Sequence, residues 1–194
     1  PHIKTHKCRE IARLQLDAGA IGITVATLRE AEVMSTLTDD LLLAYPPVGD
    51  PKLERLTQLP RELNLKVALD SMQVLERLAA AAAAADRQVG VLIERDVGLE
   101  RVGVQSVEEV LDLAELAQDL DGVDFCGLLF YPGQIRMAEL EQDAHVRKVA
   151  ALVEEMIIKL NAAGLPPEIV SGGSTPTLWQ SHKFGGITEI RSGS

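Results

Sequence analysis

Short aliphatic segments alternate with helix-like segments along the whole chain, and this alternation restricts the possible folds more than any other feature. Strands that alternate with helices form βα units around a parallel sheet. The predicted strands are residues 1–4, 21–24, 41–44, 66–69, 89–94, 125–130, 168–170 and 187–190. The predicted helices are residues 8–17, 28–34, 51–59, 72–85, 107–119 and 137–163, with a short one over 177–182.

Eight strands separated by helices predict one (β/α)8 TIM barrel over residues 1–194, although the fold typically has roughly 250 residues. The alternative is an open, doubly wound sheet, but no strand is followed by the Gly-x-Gly-x-x-Gly turn of a dinucleotide site. Hydrophobic residues make up 46% of the chain and aromatic residues 3%, so we expect an aliphatic core, as in helix-covered parallel sheets. Ser106 and Glu109 are spaced as a capping box, which predicts a helix start.

The net charge of −10 argues against nucleic acid and anionic membranes as partners, because neither attracts an acidic surface. No apolar run is long enough to span a bilayer, and no signal-peptide pattern begins the chain. We therefore expect a soluble, cytoplasmic protein. The chain begins at Pro1 rather than Met and ends just after a predicted strand, so we expect a domain excised from a longer protein.

The chemistry of a (β/α)8 barrel takes place just after the carboxyl ends of its strands, and Lys4 ends the first predicted strand. Burial disfavours the ammonium form of lysine and frees the amine as a nucleophile that forms Schiff bases. Lys4 is therefore the predicted nucleophile, against the alternative of an ordinary exposed lysine. His6 is either a participant in the reaction or a structural histidine. The other side chains at strand ends are Thr27, Tyr45, Asp70, Arg101 and Tyr131.

Two turns rich in glycine and serine follow the last two predicted strands. The first is Gly172-Gly173-Ser174-Thr175, and the second is Gly193-Ser194. Glycine allows backbone amides to approach a phosphate closely, hydroxyl groups add donors, and barrels frequently bind phosphate after strands seven and eight. A nucleophilic lysine and a phosphate site on one barrel together predict pyridoxal phosphate as the cofactor.

Two further residues are candidates for contact with the cofactor ring. Arg101 follows Gly98 in the loop after the fifth predicted strand, and its permanent charge would enforce one protonation state on a neighbouring group. The alternative for Arg101 is a surface ion pair with a nearby carboxylate. Tyr131 ends the sixth strand, where it either anchors a ring or packs at the barrel rim.

These motifs resemble the alanine-racemase-like barrel of the fold-type III pyridoxal-phosphate enzymes, in particular the D-threonine aldolase and D-serine dehydratase branch. The resemblance covers essentially the whole chain, and its motifs are residues 1–7, 27–31, 96–98, 101–104, 131–133 and 171–177. It implies that Lys4 holds the cofactor, that Arg101 lies beside the pyridine ring and that Tyr131 is an active-site residue. It assigns the phosphate to Gly173, Ser174, Thr175, Gly193 and Ser194. The full predicted site adds His6 as a catalytic residue and Thr27 and Gly172 as cofactor contacts.

Three positions differ from the pattern of D-threonine aldolases. That pattern has a glutamine-lysine pair before the second helix, a histidine after the Tyr131 position and a Gly-Gly-Gly-Thr phosphate loop. Here they hold Ala26-Thr27, Pro132 and a Gly-Gly-Ser-Thr-Pro-Thr loop, of which the Thr-Pro-Thr part is more similar to D-serine dehydratases. The resemblance therefore implies a lyase acting on D-3-hydroxy amino acids, either an aldolase that releases glycine and an aldehyde or a dehydratase that releases a keto acid and ammonia. The alternatives are an amino-acid racemase and a non-catalytic protein of pyridoxal-phosphate homeostasis.

The family also carries a second, mainly β domain with a divalent metal site. We expect that domain and its metal ligands outside this chain, so no metal ligand is predicted within it. The resemblance further implies a homodimer with a small D-amino acid as its substrate.

Overall fold

The computed structural model describes residues 1–193, which form a single parallel sheet surrounded by helices. The seven strands follow one another in chain order, and every neighbouring pair is parallel. The strands are β1 Ile23–Val25, β2 Asp40–Leu43, β3 Asn64–Leu69, β4 Val89–Arg95, β5 Val123–Phe130, β6 Ile169–Gly172 and β7 Glu189–Ile190. The α-helices are α1 Arg9–Asp17, α2 Leu28–Met34, α3 Asp50–Thr57, α4 Met72–Ala84, α5 Val107–Asp119 and α6 Asp143–Ala162, with 3-10 helices over Glu139–Glu141 and Leu178–Phe184.

The first residues of the chain close this sheet into a barrel. His2 pairs with Thr24 of β1 in an isolated parallel bridge, and its N–H donates to the carbonyl oxygen of Ser192 at 3.0 Å. The barrel prediction is therefore confirmed. The predicted first strand over residues 1–4 is wrong in extent, because the N–H of Lys7 donates back to the carbonyl oxygen of Ile3 at 2.8 Å and the chain turns immediately.

Two apolar layers hold the sheet, one on each face. Inside the barrel, a small cluster of buried side chains consists of Leu42, Ala68, Leu92 and Leu129. Residues on the opposite face of the same strands, such as Leu41, Val91 and Leu128, belong to the larger core packed under the helices. Both faces are apolar because a parallel sheet is covered on both sides, which is why the strands are aliphatic runs.

Several helix boundaries follow local signals in the sequence. The predicted capping box is confirmed: the Ser106 side chain accepts from the N–H of Glu109, and the Glu109 side chain accepts from the N–H of Ser106. The predicted helix from residue 137 begins instead at Asp143, because Gln142 donates to the carbonyl oxygens of Met137 and Pro176, both at 2.9 Å, and holds the preceding segment in a turn. Among the described residues, no helix combines the length and the apolar character that crossing a membrane requires.

Candidate active site

The side chains of Lys4, Arg101 and Tyr131 converge at the carboxyl ends of the strands. Lys4 Nζ lies 5.4 Å from the centroid of the Tyr131 ring, and Arg101 Cζ lies 5.1 Å from it. Both cations are within the range of a cation–π interaction with this one ring. Three residues that are separated by most of the chain, and that were predicted independently as site residues, are therefore neighbours.

The loop that presents Arg101 is organised by the carboxylate of Asp96. This buried carboxylate accepts from the N–H groups of Gly98 and Leu99 at 2.9 Å and from that of Glu100 at 3.0 Å. Burial acts to raise the pKa of Asp96, but the donors from Gly98 and Glu100 outweigh it and hold the pKa below its usual value. A charged Asp96 therefore fixes the turn, and Arg101 follows it at the barrel mouth.

The ring of Tyr131 depends on the glycine two residues after it. A Cβ atom at Gly133 would lie 2.3 Å from Tyr131 Cε1 and 2.9 Å from Leu99 Cδ2. Any larger side chain would displace the ring, because non-bonded carbon atoms separate to about 3.5–4.0 Å. Gly133 therefore allows the ring to lie between Lys4 and Arg101.

The ammonium group of Lys4 is held in a partly buried, positively charged environment. Burial lowers the pKa of Lys4 below its usual value, Arg101 and Arg191 lower it further, and Glu30 opposes them. A lower pKa increases the fraction of neutral amine at a given pH, which is the form that attacks a carbonyl carbon. The environment therefore suits a nucleophilic lysine.

Lys7 has a structural partner that fixes the turn carrying Lys4. Its ammonium group forms an ion pair with the buried carboxylate of Glu30, which also accepts from the N–H of Ala26 at 2.8 Å. Lys7 adopts a φ of 49°, which is unusual for a residue with a side chain. This ion pair ties the turn after Ile3 to the start of α2.

The two predicted phosphate turns are brought together. The N–H of Gly193 donates to Thr175 Oγ1 at 3.1 Å. Gly173 adopts a φ of 77°, and a Cβ atom there would lie 2.7 Å from Ser181 Oγ. A Cβ atom at Gly172 would collide with the Phe130 ring. Ser194, which was predicted to bind phosphate, lies outside the described residues.

The hydroxyl group of Ser174 points into its own loop. Ser174 is buried, its Oγ lies 2.9 Å from Thr177 Oγ1, and its N–H donates to the same oxygen at 3.0 Å. Thr177 is linked in turn to Ser181, whose hydroxyl donates to the Thr177 carbonyl oxygen at 2.9 Å. Ser174 therefore stabilises the turn from within, and its contact with phosphate stays a prediction.

Thr27 and His6 have local partners. Thr27 caps α2 by accepting from the N–H of Glu30 at 3.2 Å, and it also lines a cavity of about 390 Å³ together with Tyr45. His6 Nδ1 accepts from the N–H of Cys8 at 3.1 Å, while its buried Nε2 has no partner among the described residues. The predicted roles of Thr27 at the cofactor and of His6 in catalysis stay predictions.

Two charged residues inside the barrel were not recognised from the sequence. Arg191 is buried and donates to the carbonyl oxygen of Phe130 at 2.8 Å and to Ser171 Oγ. Burial lowers the pKa of Arg191 to about 10, against the opposing effect of Glu189 and Glu94. Burial also raises the pKa of Glu94 to about 7, and its Oε2 has no hydrogen-bond partner among the described residues. The sequence feature that could have identified Glu94 is a carboxylate that directly follows an aliphatic run in the same strand.

His2 is a partly buried histidine two residues before Lys4. Burial, together with the charges of Lys4 and Arg191, lowers the pKa of His2 to about 3. The imidazole is therefore neutral at physiological pH. In residues 1–193, no group of three or more His, Cys, Asp and Glu side chains is arranged to hold a metal ion.

Comparisons with known proteins agree with this architecture. The family model for the alanine racemase N-terminal domain matches residues 1–194. The chain is 36% identical over 197 residues to a D-threonine aldolase of Arthrobacter sp, covering 100% of this chain and 52% of the relative. It is also 36% identical over 200 residues to D-threo-3-hydroxyaspartate dehydratase of Delftia sp. (strain HT23), with the same coverage of 100% and 52%.

A solved structure has the same arrangement of elements. The crystal structure of D-threonine aldolase from Filomicrobium marinum superposes with a TM-score of 0.96 at 31% identity, covering 100% of this chain and 53% of that one. The chain thus spans about half the length of the relatives it matches. A match over its whole length, with Lys4 and two glycine-rich turns at one end of a closed barrel, shows that this chain belongs to the alanine racemase N-terminal domain family.

Proposed function

We propose that this barrel binds pyridoxal phosphate and belongs to a lyase that acts on D-3-hydroxy amino acids. The observation that carries the proposal is the position of Lys4 Nζ and Arg101 Cζ, 5.4 Å and 5.1 Å from the centroid of the Tyr131 ring. A nucleophilic amine, a permanent cation and an aromatic ring are grouped there at the end of the barrel where chemistry takes place. The activities for which the similar aldolase and dehydratase are named support the same reaction class.

The residues at the barrel mouth fit the proposed cofactor. Lys4, Arg101 and Arg191 supply positive charge for a phosphorylated ligand, and the carboxyl group of Glu94 leaves one buried oxygen unpaired. The turns that contain Gly173 and Gly193 are joined through Thr175 Oγ1. Backbone amides in such glycine-rich turns form concave anion sites. We therefore assign the phosphate to these turns and the covalent attachment to Lys4.

The contribution of the chain to catalysis is positioning and proton transfer. Pyridoxal phosphate, when bound, supplies an electron sink for the pair left on the substrate Cα. The pKa of Lys4 is lowered by burial first and by the two arginines second, which increases the fraction of neutral Nζ that can accept a proton. In a dehydratase, Lys4 Nζ would take the Cα proton. In an aldolase, a base near the proposed metal, outside this chain, would take the proton of the 3-hydroxyl group instead while the Cα–Cβ bond breaks.

The aldolase reaction is our first candidate within this class. The TM-score of 0.96 to D-threonine aldolase exceeds the 0.84 to 0.86 obtained for structures of D-threo-3-hydroxyaspartate dehydratase. Sequence identity does not separate the two, since it is 36% to both relatives. The dehydratase therefore stays a second candidate.

Product analysis distinguishes these reactions. The full-length protein is incubated with pyridoxal phosphate, a divalent metal and D-threonine. Glycine and acetaldehyde support the aldolase, whereas 2-oxobutyrate and ammonia support the dehydratase. Inversion at Cα alone, which gives L-allo-threonine, would replace the proposal with a racemase. Bound cofactor without turnover of D-threonine, D-serine or 3-hydroxy-D-aspartate would replace it with a non-catalytic pyridoxal-phosphate protein.

The remaining parts of the proposal concern the whole protein. We propose a second domain that supplies the ligands of a divalent metal, since the chain spans about half the length of its relatives and a structure of the similar dehydratase is described as a metal-free form. We also propose a cytoplasmic homodimer. Light scattering of the full-length protein tests the dimer, and metal analysis after dialysis tests the metal.

A further inference from the structure

We propose that Glu94 controls the affinity of the barrel mouth for anionic ligands. Its neutral form leaves the charges of Arg101 and Arg191 available to a phosphorylated ligand, and its ionised form neutralises part of them. This inference rests on the proposed function, because the ligand concerned is the phosphorylated cofactor. Glu94 acts here as a positioning residue rather than as a catalytic one.

The position of Glu94 follows from the alternation of side chains along β4. Leu92 belongs to the cluster inside the barrel, and a side chain two residues further along a strand lies on the same face. Glu94 therefore points into the barrel, one layer closer to the mouth than Leu92. It is only 3% exposed, and its register partner Leu129 is also an interior residue.

The carboxyl group of Glu94 has unused hydrogen-bonding capacity. Its Oε2 is buried and has no hydrogen-bond partner among the described residues. Buried polar atoms are rarely left unpaired, and a buried, ionised carboxylate carries a large desolvation cost. A buried carboxyl group with one unpaired oxygen can gain or lose a proton when the charges around it change.

Charged groups from three parts of the barrel act on Glu94. Arg191, after β7, and Arg101, in the loop after β4, favour its ionised form. Asp70, after β3, and Asp96, after β4, disfavour it. Burial is the largest effect, and it raises the pKa of Glu94 to about 7 against the opposing effect of the two arginines. The proton is therefore exchanged within the physiological range.

An anion bound near the two arginines would add negative charge close to Glu94. Ionisation of Glu94 would then become less favourable, and by thermodynamic reciprocity the ionised form must bind the anion more weakly. A tenfold difference in affinity between the two forms corresponds to a pKa shift of about one unit. We therefore expect the affinity to fall about tenfold as the pH rises through neutrality.

The test uses a ligand that cannot react with Lys4. The compound 4′-deoxypyridoxine 5′-phosphate lacks the aldehyde, so its affinity reports non-covalent binding alone. Its dissociation constant is measured by calorimetry between about pH 5.5 and about pH 8.5 for the full-length apoprotein and for Glu94→Gln. Glu154→Gln, the same change at an exposed site in α6, is the matched control. The phosphate group of the ligand ionises at about pH 6, and this ionisation changes the affinity of all three proteins in the same way.

Relative to Glu94→Gln, the affinity of the wild type and of Glu154→Gln is expected to fall about tenfold over this pH range. Parallel profiles for all three proteins would overturn the role of Glu94 while leaving the cofactor site intact. No binding by the wild type at any pH would overturn the proposed cofactor site itself.

A second measurement detects the proton on the carboxyl group. The infrared difference spectrum of the wild type at neutral pH is expected to show partial conversion of a carboxylate to a carboxylic acid when the ligand binds, and Glu94→Gln should lack this signal. A spectrum without that conversion would overturn the inference. If Glu94→Gln does not fold, Glu94→Met removes the charge at a similar volume.

Discussion

The N–H of His2 donates a hydrogen bond of 3.0 Å to the carbonyl oxygen of Ser192, so the two ends of the described chain are neighbours in one closed sheet. Gly193 makes this approach possible, since a Cβ atom there would lie 2.2 Å from the His2 carbonyl oxygen. Because of this closure, Lys4, which follows the first bridge, comes to the same rim as the second predicted phosphate turn.

Gly193→Ala should therefore destabilise the barrel. The added methyl group meets backbone that cannot rotate away, so we expect a loss of about 1–3 kcal/mol in the free energy of unfolding, the range of overpacking in a core. Chemical denaturation of the full-length protein measures it. Ser192→Ala keeps the carbonyl that accepts from His2 and should change stability by less than about 0.5 kcal/mol. Equal stability of the two variants would contradict this closure.

Lys4→Ala should abolish covalent attachment of the cofactor. The variant loses the amine, so the visible absorption of the lysine-bound cofactor should disappear. Borohydride reduction followed by peptide mass spectrometry identifies the attachment site in the wild type. Lys148→Ala, an exposed position in α6, should keep both the absorption and the modified peptide. A modified peptide elsewhere would show that Lys4 is not the attachment residue.

Gly133→Ala should weaken cofactor binding, because the new Cβ lies 2.3 Å from Tyr131 Cε1 and displaces the ring that lies beside Lys4 and Arg101. We expect a loss of affinity of about tenfold, or about 1.4 kcal/mol, in a fluorescence titration with pyridoxal phosphate. Gly90→Ala is the matched control, since its Cβ would lie 2.8 Å from Cys126 Sγ, away from Tyr131. Gly90→Ala should lower stability without changing the affinity, and equal affinity losses would refute the role of Gly133.

The protein should lose stability at acid pH because protonation of His2 favours the unfolded state. The pKa of His2 is about 3 in the folded protein, lowered mainly by burial, whereas an ordinary histidine has a pKa of 6.5. As the pH falls, the unfolded state therefore binds a proton at His2 before the folded state does. The contribution of neutral His2 to the free energy of unfolding is lost as the pH falls from about 6.5 towards 3. The loss is at most about 5 kcal/mol for a shift of this size. Thermal unfolding should show the wild type losing stability relative to His2→Gln as the pH falls across this range, and a constant difference between the two proteins would contradict the shift.

The overall barrel could be predicted from sequence because its strands are buried on both faces. β3, β4 and β5 are aliphatic runs for that reason, and the helices between them carry their own start signals, such as the Ser106 and Glu109 capping box. The location of Lys4 and of the glycine-rich turns at strand ends was likewise predicted from the order of strands along the chain. These are local properties of short segments.

Several local roles were also present in the sequence but were interpreted differently. Thr27 with Glu30 has the spacing of a helix cap, and the structure uses it as one, whereas its strand-end position led to the prediction of a cofactor contact. Ser174 was predicted to donate to phosphate, yet its hydroxyl pairs with Thr177. Short polar side chains serve both purposes, so sequence position alone does not separate them.

By itself, the sequence determined the parallel βα architecture, the end of the barrel that carries the chemistry and the lysine most suited to it, because each depends on patterns within one segment. Only the tertiary structure decided which side chains face the interior and which distant ones meet. Glu94 and Arg191 become a buried, interacting pair of charges because closure of the sheet encloses them together. Burial and charge interactions depend on through-space neighbours, and those neighbours exist only once the barrel has formed.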